Sequence, residues 1–496
     1  MSVAIAFKVV VVIASALVRR FLIKYLGSEI NGLNSLYISI VGFLSVAELG
    51  IGSAVIYCMY KPIVDGDKAK VISLYRLIEK AYRIVGLVIL GVGLCIIPAL
   101  PSLAKGYSVS HTEMYISYVI MLISVVITYI YSARASLLEA YKNNYIATAV
   151  TSGGMLIQYL LQIAAAVCTR SFYAFLACRI VSDVFQWILL TIYTKRKHPE
   201  IVGGREKATY ETRREVIKNV KAMFMHKTGI ILVNTADSVI ISAFIGVIML
   251  GRYSNYVTIM TSMVQVLLLF FTPLTSMIGH LFAKEDRAET CKYFNFFHMF
   301  NFILGVIFFL GYRAVITDLV ALLFGEGLEL DSPLIFVITY NYFIQFMRNA
   351  VVMFRDATGT FYYDRWVSLI EGLVNIVLSI LFVLIFPEDI KVVGVIAATI
   401  ITDIFICHIV EPYVLFKHAL KKRVRPYYLK NYLLIVLFGL LLVLLEMVMP
   451  SIPGRFADLM VNGCISLAFS LVVTLAVFLL DKDFRQYMLK LLKRSK

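Results

Sequence analysis

The chain has 496 residues, of which 60% are hydrophobic and only 16% charged, with a mean hydropathy of +0.85. A soluble domain holds about 45–50% apolar and about 25% charged residues, so one water-soluble core is excluded for this chain. The formal net charge of +16 gathers in loops, where Lys and Arg set membrane topology, and it gives no reason to invoke nucleic acid.

Apolar runs of about 20 residues recur along the whole length, each long enough to cross a hydrocarbon core of roughly 30 Å. The fold class read from them is an all-α polytopic membrane protein of about fourteen spans. These begin at Val3, Leu33, Ile84, Met114, Tyr145, Ser171, Thr228 and Ser254, then near Asn295, Pro333, Trp366, Ile390, Asn431 and Val461. The first stretch lacks a cleavage site and reads as a span, not a signal peptide. The ninth holds Arg313 and Asp318 and is either tilted or ends early. Residues 1–194 form an N-lobe of six spans, 195–227 a basic linker, 228–420 a C-lobe of six spans, and 421–496 two further spans with a basic tail. In the linker, Arg213, Arg214, Lys218 and Lys221 fit either a helix on an anionic leaflet or a solvated connection. Basic residues concentrate on the even-to-odd loops and the tail, which makes that side, and both termini, cytoplasmic.

A weak repeat relates the lobes. Tyr25-Leu26-Gly27, Gly32, Ser35, Tyr37 and Ile40 return, with a constant shift, as Phe244-Ile245-Gly246, Gly251, Ser254, Tyr256 and Ile259. Six spans separate the copies, so they share one orientation, as in two-lobed transporters with a site at the lobe interface.

Ionisable groups inside spans are costly and turn toward the bundle or a wet cavity. In span 1, Lys8, Val12, Ser15 and Arg19 share a helical face with Arg20 to one side. This cationic stripe suits an anionic group, since arginine's planar fork binds phosphate bidentately; snorkelling of Arg19 and Arg20 to the headgroups is the other reading. Glu48, in Glu48-Leu49-Gly50-Ile51-Gly52, is a buried acid beside glycines that permit close approach or a bend. In span 6, Arg179, Asp183 and Gln186 share a face, with Arg179 and Asp183 spaced for an internal ion pair. In span 7, His226 and Asp237 share a face, and Asp237 sits next to Asn234, Thr235 and Ser238; it either carries a coupling proton or sodium ion or is satisfied by those neighbours. In span 11, Asp364, Ser368, Glu371, Asn375 and Ser379 form one polar stripe that must face protein or water. Asp403 and His408 in span 12 are lesser candidates. Cysteines without paired spacing and histidines without an HExxH pattern give neither a disulfide framework nor a metal site.

The series of short motifs resembles a known family. Leu26-Gly27, Gly32-Leu33-Asn34, Ala47-Glu48-Leu49-Gly50-Ile51-Gly52-Ser53-Ala54 and Tyr60-Lys61-Pro62 look like the opening of bacterial polysaccharide flippases. Ser136-Leu137-Leu138-Glu139-Ala140-Tyr141, Ser254-Asn255-Tyr256, then Phe361, Asp364, Glu371, Asn375 and Ser379, and Glu411-Pro412-Tyr413 continue the likeness in order. This is the polysaccharide transporter branch of the multidrug/oligosaccharidyl-lipid/polysaccharide exporter superfamily. The resemblance implies two six-helix lobes in a V with two extra C-terminal helices. It also implies alternating-access transport of a polyprenyl-pyrophosphate-linked oligosaccharide across the bacterial plasma membrane. Arg19, Arg20, Lys8, Glu371 and Asn375 would then serve the pyrophosphate and sugars. Asp237, Glu371 and Glu48 would be candidates for coupling to an H+ or Na+ gradient, with no cofactor. Expected partners are the lipid-linked oligosaccharide, membrane lipids and polysaccharide polymerase or assembly proteins. Two departures stand out: the chain starts only a few residues before span 1, and Asp403 is acidic where a small or hydroxyl residue is expected. The alternatives are a lipid II-type flippase or a drug/cation antiporter of the same superfamily. A membrane-embedded glycosyltransferase or polymerase fits less well, because the external loops are short and no nucleotide motif is present.

Overall fold

The computed structural model describes residues 2–494 except 49–50, 109, 215, 218–219, 221–234, 284–286 and 361–362. His226, Asn234, Lys218, Lys221, Phe361 and Leu49-Gly50 therefore lie outside the described residues. Those described are helical, with no strand among them. In hydrocarbon every backbone amide and carbonyl needs an internal partner, and long apolar runs meet that demand as helices. Nine described helices are long and apolar enough to cross a membrane.

Contacts divide the chain into two compact units, Met1–Gly251 and Arg252–Lys496. The first contains α1 (Ser2–Leu26), α2 (Ser28–Leu44), α3 (Ile51–Val64), α4 (Lys68–Ile96), α5 (His111–Ala140), α6 (Asn144–Thr169) and α7 (Phe172–Lys197). Capping side chains fix several starts: Asp67 accepts from the Lys70 amide at 2.9 Å, and Ser110 from the Glu113 amide at 3.3 Å. The core is rich in buried tyrosines. Tyr37 is fully buried, packs edge-on against Tyr118 at 5.3 Å, and donates to the Met114 carbonyl at 2.7 Å.

The unit boundary falls after the expected lobe boundary at 228, because the short apolar helix Thr235–Ile245 and the turn beyond it belong with the first unit. Ser242 donates to the Leu103 carbonyl at 2.6 Å, Lys105 Nζ to the Phe244 carbonyl at 2.8 Å, and the Val247 amide to the Lys105 carbonyl at 3.0 Å. The two copies of the repeat also meet here. Asn31 Nδ2 donates to the Gly251 carbonyl at 3.1 Å, and a Cβ on Gly32 would clash with the Val247 carbonyl oxygen, as one on Gly251 would with the Ser28 carbonyl oxygen. Both glycines are thus required by backbone approach.

The second unit contains the rest of α8 (Val247–Ala283), then α9 (Arg287–Phe324), α10 (Ser332–Met347), α11 (Asn349–Thr358) and α12 (Val367–Ile385). It continues with α13 (Lys391–Thr402), α14 (His408–Leu415), α15 (Arg425–Val448), α16 (Arg455–Leu480) and α17 (Lys482–Arg494). Its core is phenylalanine-rich; Phe343 and Phe438 stack with centroids 3.6 Å apart. Tyr256, the repeat counterpart of Tyr37, is also fully buried and accepts from the Leu330 amide at 3.0 Å. The ninth expected span does not end early: α9 runs through Arg313 and Asp318, which pair with Glu446 and Arg455.

The fourteen spans drawn from the sequence are not all single long helices. The second breaks at the 3-10 turn Ser45–Glu48, and the tenth at Arg348, between α10 and α11. The twelfth is interrupted by a π-helical turn at Asp403–Cys407, and a second π turn, Phe416–Leu420, follows α14. Each break carries a charged side chain, which a regular helix would have aimed elsewhere.

Candidate functional site: a buried charge cluster

The breaks at Arg348 and at Asp403–Cys407 converge on one cluster in the second unit. Arg348 forks onto Glu411, with Nη2–Oε1 at 2.8 Å and Nε–Oε2 at 3.1 Å. Its Nη1 reaches Asp403 at 2.6 Å and Glu371 at 3.4 Å. Arg355 lies seven residues on, two turns along the same face. Its Nη1 donates to Glu411 at 3.1 Å and Asp364 at 3.2 Å, and its Nε to the exposed Asp356 at 3.3 Å. The four inner acids Asp364, Glu371, Asp403 and Glu411 are at most 4% exposed.

Charge does not balance in this cluster. Four buried carboxylates face two guanidiniums, and one oxygen each of Asp364 and Asp403 has no hydrogen-bond partner. An uncompensated buried charge is costly, so an acid-rich cluster of this kind favours taking up a proton or a cation. Glu371, Asp403 and Cys407 place one donor atom each within 4.8 Å of one another. Two carboxylate oxygens suit a proton or a hard cation; the thiol is a poor ligand for one.

A polar chain leads away from the cluster. His408 lies 3.9 Å from Asp403 Oδ2, and its Nε2 lies 3.1 Å from the Ile344 carbonyl. Its Nδ1 meets Asn431 Nδ2 at 3.0 Å, and Asn431 Oδ1 meets His298 Nε2 at 3.0 Å. A carbonyl on one side and an amide donor on the other assign the neutral imidazole with its proton on Nε2.

The span 11 stripe reads correctly as one buried face: Ser368, Glu371, Asn375 and Ser379 are all buried on α12, below Asp364. Of the stripe, Asp364 and Glu371 belong to the charge cluster. Asn375 is fully buried and donates to Thr399 of α13 at 2.8 Å, a helix–helix hydrogen bond. Arg348, Arg355 and Glu411 were not singled out as a constellation. The seven-residue spacing of the arginines was a usable signal, but their partners lie on other helices.

The first unit holds the remaining candidates. Arg19 is half-buried and Arg20 exposed on α1, which also contains Lys8. Asp237 is half-buried in the Thr235–Ile245 helix. Glu48 is half-buried and hydrogen-bonded by the hydroxyls of Tyr82 and Tyr129. The ion pair expected between Arg179 and Asp183 is absent among the described residues. Asp183 instead accepts from Ser124 at 2.5 Å, and Arg179 Nε has no hydrogen-bond partner. The i, i+4 spacing permits the pair, but a hydroxyl on α5 reaches the carboxylate first.

Residues 26–327 match the family described as polysaccharide biosynthesis protein. The chain belongs to that family. No curated protein matches it in sequence. Among solved structures it is similar to the lipid II flippase MurJ in an inward closed conformation, with a TM-score of 0.69 and 12% identity over 96% of this chain and 99% of that one. It is also similar to an inward-facing multidrug resistance MATE family transporter of the MOP superfamily, with a TM-score of 0.60 and 12% identity over 81% of this chain and 96% of that one. A MOP superfamily transporter from Pyrococcus furiosus gives a TM-score of 0.57 and 14% identity over 85% and 96%. At these identities the likeness shows the fold. This polysaccharide biosynthesis protein is therefore a multi-pass membrane protein with the helical fold shared by MOP-superfamily flippases and transporters.

Proposed function

We propose that this protein flips a polyprenyl-pyrophosphate-linked oligosaccharide from the inner to the outer leaflet of the bacterial plasma membrane by alternating access, with both termini in the cytoplasm. The observation that carries the reading is membership of a polysaccharide biosynthesis family on a scaffold that matches the lipid II flippase over nearly all of both chains. An oligosaccharide cannot cross hydrocarbon unaided, because each buried unpaired hydroxyl costs kilocalories. A protein that lends polar groups to the head while the prenyl tail stays in lipid removes that barrier without chemistry. Arg19, half-buried on an apolar helix, is the side chain proposed to meet the pyrophosphate, with Arg20 and Lys8 on the same helix.

The acid-rich cluster supports coupling to an ion gradient. Glu371 and Asp403 are the proposed carriers of a proton or sodium ion, because their site holds more negative than positive charge and an unsatisfied carboxylate oxygen. Asp237 is a second candidate. Glu48 is better explained by its two tyrosine partners. A polymerase or assembly protein on the outer side would receive the product.

The test is a flipping assay in proteoliposomes, with a polyprenyl-pyrophosphate oligosaccharide on one leaflet and an impermeant probe outside. Protein-dependent exposure, lost in Arg19→Ala at equal abundance, is expected. Glu371→Gln and Asp403→Asn should flip with a rate that no longer follows the imposed H+ or Na+ gradient. Exposure of lipid II alone would move the reading to the lipid II-type flippase. Uptake of small cationic dyes with no exposure of any glycan would replace it with the antiporter.

A further inference from the structure

The connection from α14 to α15 is basic, as loops on the cytoplasmic side tend to be. Its geometry goes beyond what topology requires. The π turn Phe416–Leu420 is closed by Lys421 in the left-handed region at φ 51, and the Lys422 amide returns to the Phe416 carbonyl at 3.2 Å. This wrap brings Lys417 and Lys422 to one turn, and Arg423 and Arg425 follow as the chain enters α15. Together with Tyr413 and Phe416 they line a cavity of about 620 Å³.

Four cations and no carboxylate line this space. Several other cations of the unit are paired: Arg313 with Glu446, Arg348 and Arg355 with the inner acids, Lys430 with Asp481, and Arg455 with Glu329. None of the four lining cations makes an ion pair among the described residues. Lys417 meets the Tyr413 hydroxyl at 3.3 Å and its ring at 5.3 Å, and Lys422 reaches the Cys291 thiol on α9. The positive-inside tendency explains basic residues in a loop but not their convergence on a concavity, where they repel one another. Two arginine forks and two ammonium groups offer charge-assisted hydrogen bonds to phosphate oxygens. The 24-residue helix beginning at Arg425 adds its positive end. Tyr413, Phe416 and Val424 supply an apolar wall.

We propose that this cavity is a docking site for the diphosphate group of a prenyl-linked lipid, occupied before the lipid enters the transport path. The identity of the lipid rests on the flippase reading; the anion site itself does not. The chemistry is that of any phosphate-bearing lipid headgroup, and the diphosphate is favoured because four cations exceed what a single phosphodiester charge requires.

Farnesyl diphosphate serves as the probe, titrated calorimetrically into the full-length protein in phosphatidylcholine nanodiscs. Saturable binding that weakens with salt is expected, with at least a tenfold loss of affinity in Lys422→Gln/Arg423→Gln. Lys195→Gln/Arg196→Gln, at a basic helix end in the other unit, should bind as the native protein does. Elution volume on size exclusion checks the fold, and Lys417→Gln provides a milder variant should the double variant aggregate. Unchanged binding in both the double and the Lys417 variant overturns the site, as does equal binding of farnesol. Equal affinity for phosphatidylglycerol, lost in the same variants, overturns the diphosphate assignment in favour of a general anionic-lipid site. Native binding without flipping would fault the flippase reading alone; flipping with binding indifferent to these substitutions would fault the docking site alone.

Discussion

The two units treat buried charge in opposite ways. In the first, two carboxylates take neutral donors: Glu48 has the hydroxyls of Tyr82 and Tyr129, and Asp183 has Ser124. In the second, four acids share two arginines in one network, with a histidine–asparagine–histidine chain attached. A single acid held by hydroxyls has one settled arrangement. A pooled, acid-rich network has several nearly equivalent ones, because a proton or cation added at one carboxylate changes the share of arginine left for the others. Under the proposed ion coupling, the second unit is where ion occupancy would be converted into helix position. Two of the helical stretches that carry the network are interrupted, at Arg348 and at Asp403–Cys407.

The largest effect that would break this comparison is at Arg348. Arg348→Ala strands Glu411, Asp403 and Glu371 together, and breaking a buried pair by removing one partner costs about 3–5 kcal/mol. The expected outcome is a large loss of monodisperse protein and a lowered melting temperature in detergent, partly restored by adding Glu411→Gln. Arg348→Lys should fall between, since an ammonium cannot reproduce the fork onto Glu411. A variant as stable as the native protein would mean that the network is not a unit.

The next effect sharpens the first unit's reliance on close backbone packing. A Cβ on Gly32 would clash with the Val247 carbonyl oxygen, whereas one on Gly91 meets nothing within 4 Å. Gly32→Ala should destabilise by roughly 1–3 kcal/mol through forced displacement, while Gly91→Ala, in the α4 interior, should be neutral or stabilising by about 0.5–1 kcal/mol. Thermal unfolding of the two in the same detergent gives the sign directly. Ser124→Ala follows, leaving Asp183 without its hydroxyl donor at a cost of about 1–3 kcal/mol. Asp183→Asn in that background should recover part of it by removing the charge.

What the sequence revealed and what it hid follow one physical line. Periodicity acts within a helix, so the run of apolar spans and the Ser368–Glu371–Asn375–Ser379 face were legible, and that face is buried as expected. The two glycines of the repeat, Gly32 and Gly251, were legible as a pattern, but not as the place where the two copies touch. Partnerships between helices were not legible at all. Glu411 read only as part of a motif, and nothing in the sequence linked it to Arg348 or Arg355, yet the three form the centre of the cluster. For Arg179 and Asp183 the local spacing misled, because it cannot show that Ser124 approaches from another helix. The π turns at Asp403–Cys407 and Phe416–Leu420 were hidden for the same reason, since a π turn is fixed by the tertiary contacts that it accommodates.

The smallest expected effect is the most discriminating for the comparison. Glu48→Gln removes a charge but keeps an acceptor oxygen in place, so Tyr82 and Tyr129 can both still donate to it. Hydrogen bonds within membrane bundles average about 0.6 kcal/mol, so the change should cost less than about 1 kcal/mol. It should also leave the dependence of flipping on the ion gradient intact, in contrast to Glu371→Gln, which alters the occupancy of the network itself. Two measurements on these two variants, melting temperature and gradient dependence, therefore separate an acid that braces a bundle from one that carries an ion. If Glu48→Gln abolished gradient dependence while Glu371→Gln did not, the assignment of ion coupling to the second unit would be reversed.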